Sequence, residues 1–521
     1  MTSAAQAALA ADRAALRHAL AARGFTDDGD VLRGPVQWRA PEGRQATSVV
    51  DITIPGRYPF GPPAVRLTSL GDPIEVTFHR DLDGALCLWD TSETVANGPW
   101  TDPDLLLSRI AGWLENTAAG WPDDEDCDLE RYLPACARSG IVLYDHDAIR
   151  PLEGYLRTRE TQVPGAVTVL ASPWNLPRTA GKRPSKGKRS APLPAPRHLA
   201  YSADLGPLSS PVRDWDDLSA VLGDRAGELR RLINQGSVEL LLLWYRRGQR
   251  EAVLALAAEP GQPPILTARE AADTSPAART LRAGVGAADL AGKRVAIIGC
   301  GAVGSYAADL LYREGVRRLT LVDPQLLRPG NAVRHLAPPS LAGLPKADAV
   351  KHVLLSYEFG GADIETRRSR IADPGQAIEI LRTSDLVIDA TADQRATAML
   401  CWAAGVTGGS LVTACVQREG GIARADRFPL RGGEEHLAPV PAVPLPAAVR
   451  ERGCGDAVSL TPPSAVVAAA ELAAELARDE LTDGRSLPAT ALRVLRPQHD
   501  VPYDRLCTLT AGKGIGPGGA Q

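Results

Sequence analysis

The stretch "KRVAIIGCGAVGSYAADLLYREGVRRLTLVD", residues 293 to 323, constrains the fold of this chain more than any other. A β-branched apolar run leads into glycines at 299, 301 and 304, followed by a helical pattern and a second apolar run. G-x-G-x-x-G in that position predicts a strand, a tight turn and a helix. Gly299 permits the turn, Gly301 lets backbone approach a phosphate, and Gly304 lets the helix pack closely, while the helix N-terminus favours an anion. Asp323 ends the next strand about 20 residues further on, where a carboxylate can hold ribose hydroxyls. The turn by itself suits a dinucleotide as well as it suits ATP.

The residues that follow separate the two. "DPQLLRPGNAVRHL" carries Asn331 and Arg334, "LPKADAVKHVL" adds Lys346, and "VIDATADQRA" adds Asp389 and Asp393. Cations near the phosphate end, with an aspartate for magnesium, suit a reaction in which charge builds on an α-phosphate as pyrophosphate leaves. Hydride transfer has no use for them, so a nicotinamide-dependent dehydrogenase is the alternative these residues disfavour. "SDLVIDAT" and "GSLVTACV" predict further buried strands, and "PSAVVAAAELAAELARDEL" predicts a long amphipathic helix. Strands alternating with helices from residue 273 to 521 predict a parallel, doubly wound sheet.

The first half has a different grammar. Residues 3 to 23 predict a helix, and "GPVQWRAPEGRQATSVVDITIP" alternates like strands joined by a turn. "TDPDLLLSRIAGWLENTAAG" predicts a second helix, with Thr101 or Asp102 as its cap and Pro103 in its first turn. These elements make one α+β unit, residues 1 to 155. It contains "YPFGPP" and, further on, "HRDLDGALCLWD", where Cys87 stands among His79, Asp81, Asp83 and Asp90. Residues 156 to 272 hold a linker and a small module of one helix and two strands. The linker, "LPRTAGKRPSKGKRSAPLPAPRH" at 176 to 198, is rich in proline, glycine and cations, and its flexibility would permit a swing between domains.

With 521 residues and 44% hydrophobic content, about three units are expected. A net charge of −4 argues against a nucleic-acid or membrane partner. The alanine-rich N-terminus is interrupted by Asp12, Arg13 and Arg17, so neither a leader nor a membrane span is expected, and the expectation is a cytoplasmic protein. The eight cysteines are scattered with no C-x-x-C pair, which speaks against a tetrathiolate zinc site, and in a chain this long with no leader expected a disulfide framework is not expected either.

From Gly299 to Asp393 the ordered set resembles the ThiF/MoeB/ubiquitin-activating-enzyme adenylation domain, over roughly residues 273 to 515. That resemblance implies ATP and Mg2+, with Asp323 on the ribose and Asn331, Arg334 and Lys346 on phosphates. The magnesium aspartate is Asp389 or Asp393, because D-A-T-A-D replaces the usual D-x-T-D-N. Arg279 or Arg282 would match the arginine this family lends across its homodimer. Cys454, in "RERGCGDAVSL" ahead of the long helix, matches the placement of the acceptor cysteine in ubiquitin-activating enzymes. "YPFGPP", the His79 segment, "GALCL" and Trp100 before a helix resemble the ubiquitin-conjugating-enzyme fold. Carried over, Cys87 bears the thioester. Asp81 stands where the asparagine of His-Pro-Asn is expected, leaving Asn97 or His79 as its oxyanion donor.

The expected architecture is therefore an α+β ubiquitin-conjugating-like domain followed by an α/β Rossmann-like adenylation domain. The pairing is similar to the fused proteins of CBASS antiphage operons. It implies adenylation of a protein's C-terminal carboxylate, belonging to a cyclic-oligonucleotide synthase or a ubiquitin-like protein. Thioester relay from Cys454 to Cys87 and conjugation to a target lysine would follow. A catalytically inactive docking scaffold is the alternative from another class.

Overall fold

The computed structural model describes residues 3–69, 78–81, 83–89, 98–122, 124–137, 140–175, 198–443, 449–450, 457–484 and 486–511. Asn97, Cys454 and residues 176–197 of the expected linker lie outside them. The chain divides into two compact units, residues 1–275 and 276–521. No helix among the described residues is long and apolar enough to cross a membrane.

The first unit begins with helix α1 (Ser3–Ala21) and an antiparallel sheet of β1 (Thr26–Asp27), β2 (Leu32–Arg39), β3 (Gln45–Thr53) and β4 (Ala64–Ser69). β2 alternates buried and exposed residues along its whole length, as a sheet with one solvated face requires. Helix α2 (Pro103–Ala118) covers the other face. Leu20, Leu32, Ile52, Leu106, Ile110 and Leu114 are fully buried in this core, each stabilising the fold by about 1.5–3 kcal/mol. Asp102 is the cap of α2, its side chain accepting from the Asp104 and Leu105 amides. Trp100 donates from Nε1 to the Pro59 carbonyl at 2.8 Å, tying "YPFGPP" to the start of α2.

The rest of the first unit is a second, eight-stranded sheet. In chain order it contains β5 (Val142–Tyr144), helix α3 (His146–Ile149), β6 (Gly154–Glu160), β7 (Val167–Pro173), β8 (Leu199–Pro207), helices α4 (Trp215–Leu222) and α5 (Arg225–Asn234), β9 (Val238–Arg247), β10 (Arg250–Glu259), β11 (Ile265–Ala268) and β12 (Ala271–Asp273). The strand order is β11-β10-β9-β8-β6-β7-β5-β12. Three features differ from expectation. Gly223, at φ 57°, divides the expected single helix into α4 and α5. β5, from before residue 155, pairs with β12 in the same sheet as the supposed intermediate module. β6 pairs with both β7 and β8, so the proline-rich segment joins two strands of one sheet rather than hinging two domains. Composition shows that a segment has nothing to bury. It says nothing of whether the strands on either side of it share a sheet.

The second unit opens with α6 (Pro276–Thr280) and α7 (Ala287–Leu290), then β13 (Arg294–Ile298), α8 (Ala302–Glu314), β14 (Arg318–Val322), α9 (Lys346–Leu355), β15 (Asp363–Arg367), α10 (Pro374–Thr383), β16 (Leu386–Asp389), α11 (Gln394–Thr407) and β17 (Leu411–Gln417). It continues through β18 (Ile422–Phe428), the β19 (Val449–Arg450) and β20 (Ala457–Val458) pair, α12 (Pro463–Leu481), β21 (Thr490–Val494) and β22 (Cys507–Ala511). Sheet order is β15-β14-β13-β16-β17-β18-β21-β22. The expected parallel sheet is present from β15 to β17, and β18, β21 and β22 extend it antiparallel. Ala469, Ala470, Ala473 and Ala477 of α12 are fully buried among residues of α8, β17 and β18. Their small side chains let helix and sheet approach closely. The order of strands reverses at β13, so the crevice outside its carboxyl end is where an α/β sheet binds ligands.

Candidate active site

The three glycines of the turn have separate tasks. Gly299 has φ 90°, and a Cβ there would lie 2.8 Å from the Ala390 carbonyl carbon and the Thr391 nitrogen. A Cβ on Gly304 would lie 1.8 Å from the Gly299 oxygen. These two are required by packing. Gly301, the N-cap of α8, has nothing within 4 Å of its Cβ position, so the helix N-terminus meets open space there.

Two buried carboxylates flank this opening. Asp323, just past β14, accepts from the Cys300 amide at 2.9 Å and the Gln325 amide at 2.8 Å. Asp389, 2% exposed, ends β16 opposite Ile298 of β13. Its Oδ1 accepts from the Thr391 amide at 3.0 Å and the Thr391 hydroxyl at 2.7 Å, and its Oδ2 from the Thr397 hydroxyl. Asp393 is exposed and caps α11 through Oδ1, which accepts from the Arg395 amide at 2.9 Å.

Lys346 reaches the same neighbourhood, donating from Nζ to Gln325 Oε1 at 2.6 Å. His335, which carried no role in the sequence reading, connects the parts. Its Nδ1 accepts from the Ala337 amide at 3.0 Å, which makes Nε2 the donor to the Cys300 carbonyl at 2.8 Å. The ring is buried, and that burial holds its pKa below the ordinary histidine range, keeping it neutral. Asn331 and Arg334 are turned to other partners. Asn331 Oδ1 accepts from the Arg328 amide at 3.0 Å, and Arg334 donates to the Ser459 carbonyl at 2.9 Å. Arg279 pairs with Glu358 at 2.9 Å. Thus the glycine turn at the end of β13 is held by Asp323 through the Cys300 amide, Lys346 reaches Asp323's neighbour Gln325, and Asp389 ends the adjoining strand β16.

The Cys87 thiol lies in the first unit. Its amide donates to the His79 carbonyl at 2.8 Å, and Arg131 Nη1 lies 2.8 Å from its sulfur. His79 is 6% exposed, with φ 59°. Its Nε2 bonds Asp124 at 2.8 Å, and its ring lies 4.0 Å from that of Trp121. Trp113 Nε1 donates to the His79 carbonyl at 2.9 Å. His79, one of the two expected oxyanion donors, thus has its Nε2 engaged with Asp124, while its carbonyl holds the backbone of Cys87. Burial lowers the His79 pKa, and Asp124 is shared with Arg247.

Arg131 lies 44 residues from Cys87 and belongs to no motif, so nothing in the sequence marks it. Three thiols of the second unit, Cys300, Cys401 and Cys415, are poorly placed for nucleophilic work. Burial pushes Cys401 and Cys415 up to about 11 and Cys300 well above the ordinary thiol range, whereas nucleophilic attack needs the thiolate.

Residues 279–423 match the model of the ThiF family. Over 250 residues the chain is 30% identical to the Pseudomonas aeruginosa protein named ATP-dependent ubiquitin transferase-like protein Cap2, covering 42% of this chain and 43% of that one. Over 137 residues it is 36% identical to an uncharacterized protein, y4oA, of Sinorhizobium fredii, covering 23% of each chain. A crystal structure of E. coli MccB with AMPCPP and MccA aligns at 14% identity and a TM-score of 0.34, over 44% of this chain and 66% of that one. The matches span less than half the length of these curated relatives. This chain carries a ThiF-family domain with a Rossmann-like α/β fold, and its relatives include proteins named ATP-dependent ubiquitin transferase-like protein Cap2.

Proposed function

We propose that this protein uses ATP to adenylate the C-terminal carboxylate of a protein substrate and passes the acyl group through cysteine thioesters to an amine on a target. One observation carries the reading: the open space at Gly301, on a helix N-terminus, lies at the strand ends that bear Asp323 and Asp389. Open space before a helix N-terminus fits phosphate, and hard carboxylate oxygens fit magnesium. Asp323 would hold the ribose, Lys346 the phosphates, and Asp389 or Asp393 the Mg2+. Magnesium would spread the charge that develops on the phosphates. Asn331 and Arg334 would join the phosphates by leaving their present partners.

In the first step a carboxylate oxygen attacks the α-phosphorus and pyrophosphate leaves. The Cys454 thiolate then attacks the acyl carbon and AMP leaves. The Cys87 thiolate displaces Cys454 in turn, and a target amine displaces Cys87 with loss of a proton. Each thioester keeps much of the activation supplied by ATP, so one hard amide-forming step becomes several easier ones. The similarity to proteins named Cap2 supports the transferase half of the reading. A cyclic-oligonucleotide synthase or a ubiquitin-like protein in antiphage defence is the substrate class proposed. A homodimer through residues 276–521 belongs to the same reading, since Leu281, Val285, Trp402 and Val406 are exposed apolar side chains there. Light scattering of the purified chain tests it.

Exchange of labelled pyrophosphate into ATP by the purified chain with its protein substrate tests the first step. Nicotinamide turnover without exchange would overturn it. If Cys87→Ala and Cys454→Ala each left conjugates intact in cells, the relay would be wrong.

A further inference from the structure

The Cys87 sulfur belongs to a compact charged cluster. Arg131 sits on a short 3-10 turn, Leu129–Tyr132, whose Leu129 and Tyr132 are buried, so the guanidinium is presented from an anchored backbone. Nη1 lies 2.8 Å from Sγ and 2.6 Å from Asp128 Oδ2, and Nη2 lies 3.3 Å from Asp81 Oδ1. Two carboxylates hold the fork while one arm meets the thiol. Asp81, found where the family resemblance leads to asparagine, therefore orients the arginine.

We infer that Arg131 is a catalytic residue of acyl transfer at Cys87, holding the sulfur as its thiolate both when it attacks and when it leaves. This rests on the thioester reading proposed above. On loading, the Cys87 sulfur–carbon bond forms as the donor thioester's breaks, and the donor sulfur departs as a thiolate. On discharge, an amine forms the new nitrogen–carbon bond and loses its proton to solvent, while the Cys87 sulfur departs with the electron pair. Negative charge lies on the same sulfur at the start of loading and the end of discharge, and Arg131 is the cation touching it. The groups facing the thiol explain why a cation is needed. Burial pushes its pKa up, Asp81 and Asp128 act in the same direction, and Arg131 acts against all three.

The test uses the full chain and needs neither ATP nor a partner. The rate of Cys87 alkylation by iodoacetamide is followed against pH by mass spectrometry of the Cys87 peptide. Arg131→Gln should raise the midpoint by about one pH unit or more, the usual effect of losing an adjacent opposite charge. Alkylation near neutral pH would then fall about tenfold. Arg131→Lys, which keeps the charge, should stay near the unsubstituted midpoint. An unchanged midpoint in Arg131→Gln would overturn the inference, as would an equal rise in both variants, which would mark a structural role. Failure of the relay reading shows separately, as no ATP-dependent thioester on Cys87 of the unsubstituted chain.

Discussion

Replacing Gly304 by alanine should force β13 and α8 apart. The new Cβ would lie 1.8 Å from the Gly299 oxygen and 3.2 Å from the Ala390 Cβ. Ordinary carbon–oxygen contacts sit near about 3.3 Å, so the backbone would have to yield by roughly 1.5 Å. The opposing atom is a carbonyl, with no rotamer to absorb the clash. Gly299 is itself held by the hydrogen bond its amide donates to the Val322 carbonyl at 2.8 Å. Overpacking a core costs about 1–3 kcal/mol, and a backbone clash belongs at the upper end, about 3 kcal/mol. For a unit this size that corresponds to a fall in midpoint of roughly 6–12 °C. Gly301→Ala is the contrast. Nothing obstructs its Cβ, and replacing a cap glycine by alanine costs about 1 kcal/mol or less, but the methyl group enters the opening. Scanning calorimetry of the second unit's transition and pyrophosphate exchange read the two effects apart. A Gly304→Ala chain that melts like the parent, or a Gly301→Ala chain with full exchange, would refute the division of labour among the glycines.

Other consequences concern buried polar groups. Asp124→Ala strands the Arg247 guanidinium, both side chains being about nine-tenths buried, and should cost about 3–5 kcal/mol in urea unfolding. A change below about 1 kcal/mol would mean the pair is solvated. Trp100→Phe removes the 2.8 Å bond to the Pro59 carbonyl and should cost about 1 kcal/mol, seen as a lower urea midpoint with the fold retained. His79 and His335 are both held below the ordinary histidine pKa by burial. Their contribution is complete above about pH 6.5 and is lost as pH falls through their folded values, because the unfolded chain then binds more protons. Melting temperature should therefore drop from pH 7 to pH 5, and His335→Gln should flatten that drop for the second unit. An equally steep drop in the variant would exclude His335 as a cause.

The parts of this protein legible in its sequence are those that depend on local pattern. The β13–α8 turn, Asp323 at the end of the next strand and the full extent of α12 follow from periodicity, glycine placement and the breaks around them. Pattern also offered two caps for α2, Thr101 and Asp102, of which the structure uses Asp102. Sequence reasoning missed what depends on partners remote along the chain. The antiparallel extension through β18, β21 and β22, and the sheet that joins β5 to β12, are strand pairings between distant segments. At the candidate sites the same division holds. Residue types, spacing and the family resemblance offered Cys87, Gly301, Asp323 and Asp389 as candidates. They could not show that His335 stitches the glycine turn, that Asp124 claims the His79 ring, or that Arg131 meets the sulfur.

By itself, the sequence determined the glycine turn, the extent of α12 and two candidate caps for α2, of which the helix uses Asp102. Each of these follows from backbone sterics and side-chain chemistry within a few residues. Only the tertiary structure decided which strands share a sheet and which cation faces which thiol. Those are contacts between segments far apart along the chain, chosen by burial and hydrogen-bond satisfaction in the folded core.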